Sequence, residues 1–355
     1  MIELTTRTVL TYGLAFITAW TLVVYVTPLT IRVAQTFKIT DTPDGRLKKH
    51  TTPTPYLGGL AVAASFVVTF SVFSTEETAG IRAMGILAGG FMMVMLGLYD
   101  DLLNLRPSVK FVGQLLAAIV LFKAGIRTDI PLAGTEWAEW DTVFNFGLTI
   151  LWVTAIANAF NIIDVMDGLA TGTALIASLF LFAISVTIGD DPVVPFMAIV
   201  LAGALLGFLK FNFSPAMIFL GDTGSLFIGF MVGGLAMLVS YTSAPGNGSA
   251  LAVATPVVLL AIPIFDTAFV AWHRARKGIP FFRGSPDHFA LRLRHSGRSV
   301  RAIAFGTYRV AIGLGLLALG IVFAPGEFVA PLLGLFAVGL AIAFVRLSRL
   351  APPER

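Results

Sequence analysis

Asn158-Ala159-Phe160-Asn161-Ile162-Ile163-Asp164-Val165-Met166-Asp167-Gly168 closes an apolar run that begins near Val143 and is long enough to cross a bilayer. Asn158, Asn161, Asp164 and Asp167 recur every three residues, so on a helix they share one face. Amides and carboxylates are thus gathered where the run leaves hydrocarbon. Ionisable groups beside lipid are costly and point to function; the plain alternative is a polar helix end, which Asn and Asp favour. Capping alone does not account for the pattern, because Asp100-Asp101, Asp222 and Asp266 stand at equivalent boundaries.

The surrounding chain sets the class. Of 355 residues, 57% are hydrophobic and only 12% charged, with a mean hydropathy of +0.88. That profile belongs to an all-α, polytopic membrane protein. Apolar runs near 9–29, 56–74, 83–99, 109–124, 143–161, 169–189, 193–210, 224–241, 250–270, 304–323 and 328–345 predict about eleven transmembrane helices. No polar stretch is long enough for a soluble domain, so residues 1–355 form one membrane domain, with larger connections near 30–55, 100–108, 162–168, 211–223 and 271–303. The first run has neither a basic leader nor a small-residue cleavage pattern and reads as a retained helix. The absence of cysteine excludes disulfides, thiolate metal sites and cysteine nucleophiles.

Lys and Arg orient these spans. All but Arg7, Arg82, Lys123 and Arg127 fall in one alternate set of connections. That set is therefore cytoplasmic, with the N-terminus outside and the C-terminus inside. The net charge of +4 reflects topology and anionic lipid, not nucleic-acid binding. Asp100, Asp101, Asp164, Asp167, Asp222, Asp266 and all four histidines lie on or near this side, which places the active site at the cytoplasmic face. The outer acidic residues, including Asp190 and Asp191, read as solvated loop charges. Gly89-Gly90 and Gly233-Gly234 read as close helix packing, and Trp137 and Trp140 as interface anchors. His273 reads as a boundary residue. Asp266 has either a site role or an interhelical arginine partner such as Arg309.

Several carboxylates among many cations suit a hard divalent ion handling phosphates. Mg²⁺ takes oxygen ligands, usually one or two carboxylates completed by water and phosphate, while Lys and Arg hold the remaining phosphate oxygens. Asp222 stands in Phe219-Leu-Gly-Asp222-Thr-Gly-Ser225, where glycine allows close approach of backbone. The segment from Asp41 to Gly59 supplies Arg46, Lys48, Lys49 and His50 on a Pro-punctuated loop.

Together, and in this order, these motifs resemble the polyprenyl-phosphate N-acetylhexosamine-1-phosphate transferases, glycosyltransferase family 4. The similarity runs from the Asp41–Gly59 loop through Asp100-Asp101, Asn158 to Gly168, Asn212 to Ser225, and Pro263-Ile-Phe-Asp266-Thr, to His288. An eleven-span topology resembles the undecaprenyl-phosphate GlcNAc-1-phosphate branch. The resemblance implies Asp222 as principal ligand of Mg²⁺, or of Mn²⁺ in its place. It gives Asp100 and Asp101 the lipid phosphate, one of them as general base, and Asp164 and Asp167 a catalytic part beside the metal. It also implies donor contacts from Lys49, His50, Asn158, Asn161, Asn212, His288 and Arg292. The implied partners are a UDP-N-acetylhexosamine and undecaprenyl phosphate in a bacterial inner membrane, with a homodimer allowed.

One departure concerns the donor. GlcNAc-type relatives usually carry His-x-His-His in the last large loop, whereas here only His288 matches and Ala290 and Leu291 replace the others. GlcNAc or another N-acetyl sugar therefore stays open. Two rivals stand beside this reading: the phospho-MurNAc-pentapeptide transferase of the same superfamily, and a cation-coupled transporter, which would also bury carboxylates.

Overall fold

A computed structural model of the protein describes residues 5–41, 54–128, 130, 138–189, 191–244, 249–280 and 286–351. Long apolar runs leave backbone no partner but itself, so helices result. In chain order they are α1 (Thr6–Thr36), α2 (Gly58–Phe73), α3 (Ile81–Leu103), α4 (Pro107–Lys123), α5 (Asp141–Ile163), α6 (Leu169–Ile188) and α7 (Val193–Asn212). Then follow α8 (Gly221–Met237), α9 (Thr255–Leu259), α10 (Ala261–Arg276), α11 (Phe289–His295), α12 (Val300–Phe323) and α13 (Gly326–Ser348). Between α1 and α2, β1 (Thr40–Asp41) pairs antiparallel with β2 (Thr54–Pro55).

Each expected run falls on a helix, but helix length alone supports fewer than eleven crossings. Among the described residues eight helices are long and apolar enough to cross a membrane, or nine if a bent pair is one crossing. α2, with 16 residues, is short, and α4 has only 17. The bent pair is α9 and α10, which meet at 74° inside the run read as one straight span. Pro263 lies in the first turn of α10 and cannot donate to the preceding turn, so the hydrogen-bond ladder breaks there.

α7 and α8 form the centre. In both, 83% of the apolar window is buried, against 6% in α13, which lies at the rim. α7 packs on α1 and α6, while α8 packs on α3 and α5. The glycine pairs serve this packing: Gly89 faces the Phe230 ring, and Gly233 faces Ile156. One expectation fails at the opposite ends of the helices. Asp191 is not a solvated loop charge; it is buried, accepts from the Arg82 guanidinium at 2.7 Å and caps the Val193 N–H at 2.9 Å. Trp140 is exposed; Trp137 and Asp190 lie outside the described residues.

Candidate active site

The site is assembled from helix ends. α3 stops at Asn104, which adopts a left-handed φ of 50°, and Pro107 opens α4 after a short turn. The tight return brings Lys110 back onto α3. Its ammonium donates to Asp100 Oδ2 at 2.7 Å and to Asp222 Oδ2 at 2.5 Å. The other Asp100 oxygen accepts the Leu105 N–H at 2.7 Å.

Asp101 does something different. One of its oxygens accepts the Asp222 N–H at 2.8 Å, and the other accepts the Thr223 N–H at 3.0 Å and hydroxyl at 2.6 Å. These are the otherwise unpaired donors at the start of α8, where a negative charge also suits the helix dipole. Gly221 makes this approach available, with a φ of +72° and no Cβ to press on the Asp101 carboxylate. Asp222 is thereby fixed through its backbone by α3 and through its side chain by α4 and α5.

From α5, Asn161 donates to Asp222 Oδ1 at 2.8 Å and to the buried Ser225 hydroxyl at 2.9 Å. One turn earlier, Asn158 and the buried Gln114 of α4 exchange amide hydrogen bonds at 2.6 and 3.2 Å. Lys110 and Gln114 on α4 thus answer Asn161 and Asn158 on α5. Asp167 accepts the Ala216 N–H at 3.1 Å. Burial, and then the negative charges of Asp222, Asp101 and Asp167, push the Asp164 carboxyl up to about 8.

His288 and Arg292 belong to a second cluster, between α10 and α11. Asp266, fully buried, pairs with His288 Nδ1 at 2.7 Å and accepts the Phe289 N–H at 3.0 Å. Of the two alternatives for Asp266, Arg309 is not its partner; Arg309 donates to the Phe305 carbonyl instead. Arg292 donates to Asp287 Oδ1 at 3.0 Å and to the Leu350 carbonyl at 2.9 Å, and it lies over the Phe269 ring. Lys277 reaches the same Asp287 oxygen at 2.6 Å. Burial alone would raise the Asp287 carboxyl, but these two cations hold it below the usual carboxylate range. His273 packs against Phe269, as a boundary residue would.

The structure brings Asp100, Asp101, Asn161 and Asp222 into direct contact, with Asn158, Asp164 and Asp167 beside them. Asn212 ties the end of α7 to the start of α6. It is buried and spent on the Gly168 N–H, the Thr171 hydroxyl and the Ile218 carbonyl. Lys49 and His50 lie outside the described residues, but the ends of their loop do not. Pro55 of β2 accepts the Phe219 N–H at 2.9 Å, three residues before Asp222. Sequence reasoning missed Lys110, counted there only as a topology charge, and Gln114. Their signal was a Lys and a Gln four apart, opening an otherwise apolar helix.

The Asp222 carboxylate is held by the Lys110 ammonium and the Asn161 amide N–H, and the Asp100 and Asp101 carboxylates beside it offer further oxygen atoms, the donor type a hard cation prefers. No three acidic or histidine side chains among the described residues already form a ligand shell. Mg²⁺ does not require one, since one or two carboxylates with water and phosphate suffice. Asp100, Asp101 and Asp222 converge here around the single ammonium of Lys110, which leaves net negative charge at the centre. The residues therefore fit a divalent cation.

A multi-pass membrane protein with an acidic, lysine-bridged centre at its helix ends is the class that fold and site define. The chain belongs to glycosyl transferase family 4, whose profile matches residues 83–240. It is 33% identical to a probable undecaprenyl-phosphate N-acetylglucosaminyl 1-phosphate transferase of Bacillus subtilis, over 86% of this chain and 83% of that protein. It is likewise 33% identical to the decaprenyl-phosphate N-acetylglucosaminephosphotransferase of Mycolicibacterium smegmatis, over 85% and 80%. A phospho-N-acetylmuramoyl-pentapeptide-transferase of Carboxydothermus hydrogenoformans is 35% identical over 59% of this chain and 69% of its own. Membership of this family weighs against the transporter reading.

Proposed function

We propose that this protein transfers an N-acetylhexosamine-1-phosphate, GlcNAc-1-phosphate, from a UDP-sugar to undecaprenyl phosphate, yielding a lipid-linked diphosphate sugar and UMP. The observation that carries the reading is Lys110 bridging Asp100 and Asp222 where α3, α4 and α8 meet. Phosphoryl transfer asks chiefly for positioning and charge neutralisation, and such a centre supplies both.

An oxygen of the lipid phosphate attacks the β-phosphorus in a single displacement. The bond from that phosphorus to the bridging oxygen breaks, and UMP departs with that oxygen. Asp100 accepts the proton of the lipid phosphate, and Lys110 steadies both carboxylates and the incoming phosphate oxygens. Asp222 would hold Mg²⁺, with Asn161 fixing the angle of its carboxylate; when bound, the cation neutralises phosphate charge and polarises the reacting phosphorus. Asp101 positions Asp222 by holding the start of α8. Asp164, Asp167 and Asn158 would position the donor, and Lys49 and His50, which lie outside the described residues, would contact its nucleotide. Asp266 occupies His288 Nδ1, which leaves Nε2 for the donor diphosphate or sugar, and Arg292 braces that loop. The face carrying the site is cytoplasmic, in a bacterial inner membrane.

The phospho-MurNAc-pentapeptide reading rests on a match over a smaller share of the chain, and donor choice separates the two. Detergent-purified protein given undecaprenyl phosphate, Mg²⁺ and a panel of UDP-N-acetyl sugars should release UMP only with both lipid and metal. UDP-GlcNAc should be the preferred donor. Asp222→Asn should lower release by about 10²–10³-fold with an unchanged melting temperature. Release without lipid, or wild-type turnover by the variant, would overturn the assignment.

A further inference from the structure

Away from the acidic centre, α6, α7 and α12 enclose a groove of about 550 Å³, within the usual range for a small-ligand site. Leu175 and Ile176 of α6, Leu209 of α7 and Ile312 of α12 give it an apolar wall, and Tyr308 and Arg309 stand at one end. Arg309 is the single charged residue in the lining. Its Nε donates to the Phe305 carbonyl one turn back on its own helix, at 3.3 Å, and no ion pair holds it among the described residues.

The level of Arg309 in the membrane can be read from its neighbour. The Tyr308 hydroxyl donates to the Gly168 carbonyl at 2.6 Å, and Gly168 is the residue just before α6. Gly172 has no side chain to keep the Tyr308 ring off α6. Arg309 therefore stands at the height where α6 begins, the height of lipid headgroups. From there the groove descends along α6 and α12 into the apolar layer. Lys210, in the last turn of α7, and Arg301, in the first turn of α12, stand at the same end. Arg301, Phe305 and Arg309 form one row at intervals of four on α12.

Cations at headgroup height above an apolar slot match an anionic lipid, phosphate above and chain below. The helices carrying Asp100, Lys110 and Asp222 contribute nothing to the lining, so the slot is separate from the place where an acceptor phosphate would react. We propose that this groove binds an anionic phospholipid, its phosphodiester on the Arg309 guanidinium and an acyl chain between α6 and α12. The bound chain packs against Tyr308, the side chain that holds the Gly168 turn.

Native mass spectrometry of the delipidated full chain, titrated with dioleoyl-phosphatidylglycerol or dioleoyl-phosphatidylcholine, tests this directly. One phosphatidylglycerol should remain bound at concentrations where phosphatidylcholine does not. Its affinity should fall by about tenfold or more in Arg309→Gln, which removes a charge-assisted hydrogen bond. Ile176→Trp should lower affinity for the same lipid by filling the slot without changing charge. Equal retention of phosphatidylglycerol by all three proteins would overturn the site, and equal binding of the two lipids would overturn its preference for negative charge. Displacement of phosphatidylglycerol by equimolar undecaprenyl phosphate, lost in Ile176→Trp, would reassign the groove to a polyprenyl chain. None of these readouts depends on transferase activity.

Discussion

Lys110 sits between two carboxylates from different helices, and the residues around it divide by how they titrate. Asp164 carries a carboxyl pushed up to about 8, so near neutral pH it keeps a proton that the unfolded chain would have lost. Its folded value lies above its unfolded one, so without a cation its contribution to stability falls as pH rises from about 4 to 8. A divalent ion entering the centre reverses the preference, because it favours the ionised form. Apparent Mg²⁺ or Mn²⁺ affinity should therefore rise with pH, by up to about tenfold per unit below pH 8, and level off above it. Calorimetric titrations at pH 6.5, 7.5 and 8.5 measure this, and Asp164→Asn should flatten the profile; a wild-type affinity independent of pH would refute it. At this scale the sequence was half legible. The three-residue rhythm from Asn158 to Asp167 marked the centre, since a repeat along one helix is visible in the chain itself. The work of Lys110, Asp101 and Asn212 was not visible, because their partners lie on other helices and no local spacing encodes those contacts.

Elements meet at this site through backbone as much as through side chains. Gly97, one turn before Asp101, lies so close to α8 that a Cβ there would strike the Asp222 carbonyl and Thr223. Gly97→Ala should push α3 from α8 and cost about 1–3 kcal/mol. It should also depress turnover beyond the loss expected from stability, because the displaced strand of contacts includes Asp222. Thermal unfolding in detergent, compared with activity at a temperature where the variant stays folded, checks both halves; full activity there would show that the contact is packing alone. Helices were legible as apolar runs, but the 74° bend between α9 and α10 was not. Pro256 and Pro263 advertise weak points, yet whether a helix bends at a proline depends on the neighbours that receive the freed segment. Asp266 shows the same limit: an aspartate near a span end is visible, whereas its pairing with His288 across 22 residues is not.

At the scale of the molecule, Lys and Arg predict sidedness while helix length leaves the crossing count between eight and eleven. An odd count puts the termini on opposite sides of the membrane, and eight would put them together. A C-terminal fluorescent-protein fusion should shine in the cytoplasm, while an N-terminal tag should be cut by protease added outside spheroplasts. Protection of both termini would demand an even count. The rim helix α13 has a consequence that belongs to time instead of space. Arg292 holds the Leu350 carbonyl across 58 residues of chain and also grips Asp287, next to His288. At about 5–20 residues per second of synthesis, the ribosome needs roughly 3–12 s to supply that carbonyl after Arg292 is made. The acidic centre is complete before then, so a growing chain holds its reactive half first and its clasp last. That fastening arrives only once α13 has been made, and a stop codon anywhere in α13 leaves the His288 loop without it.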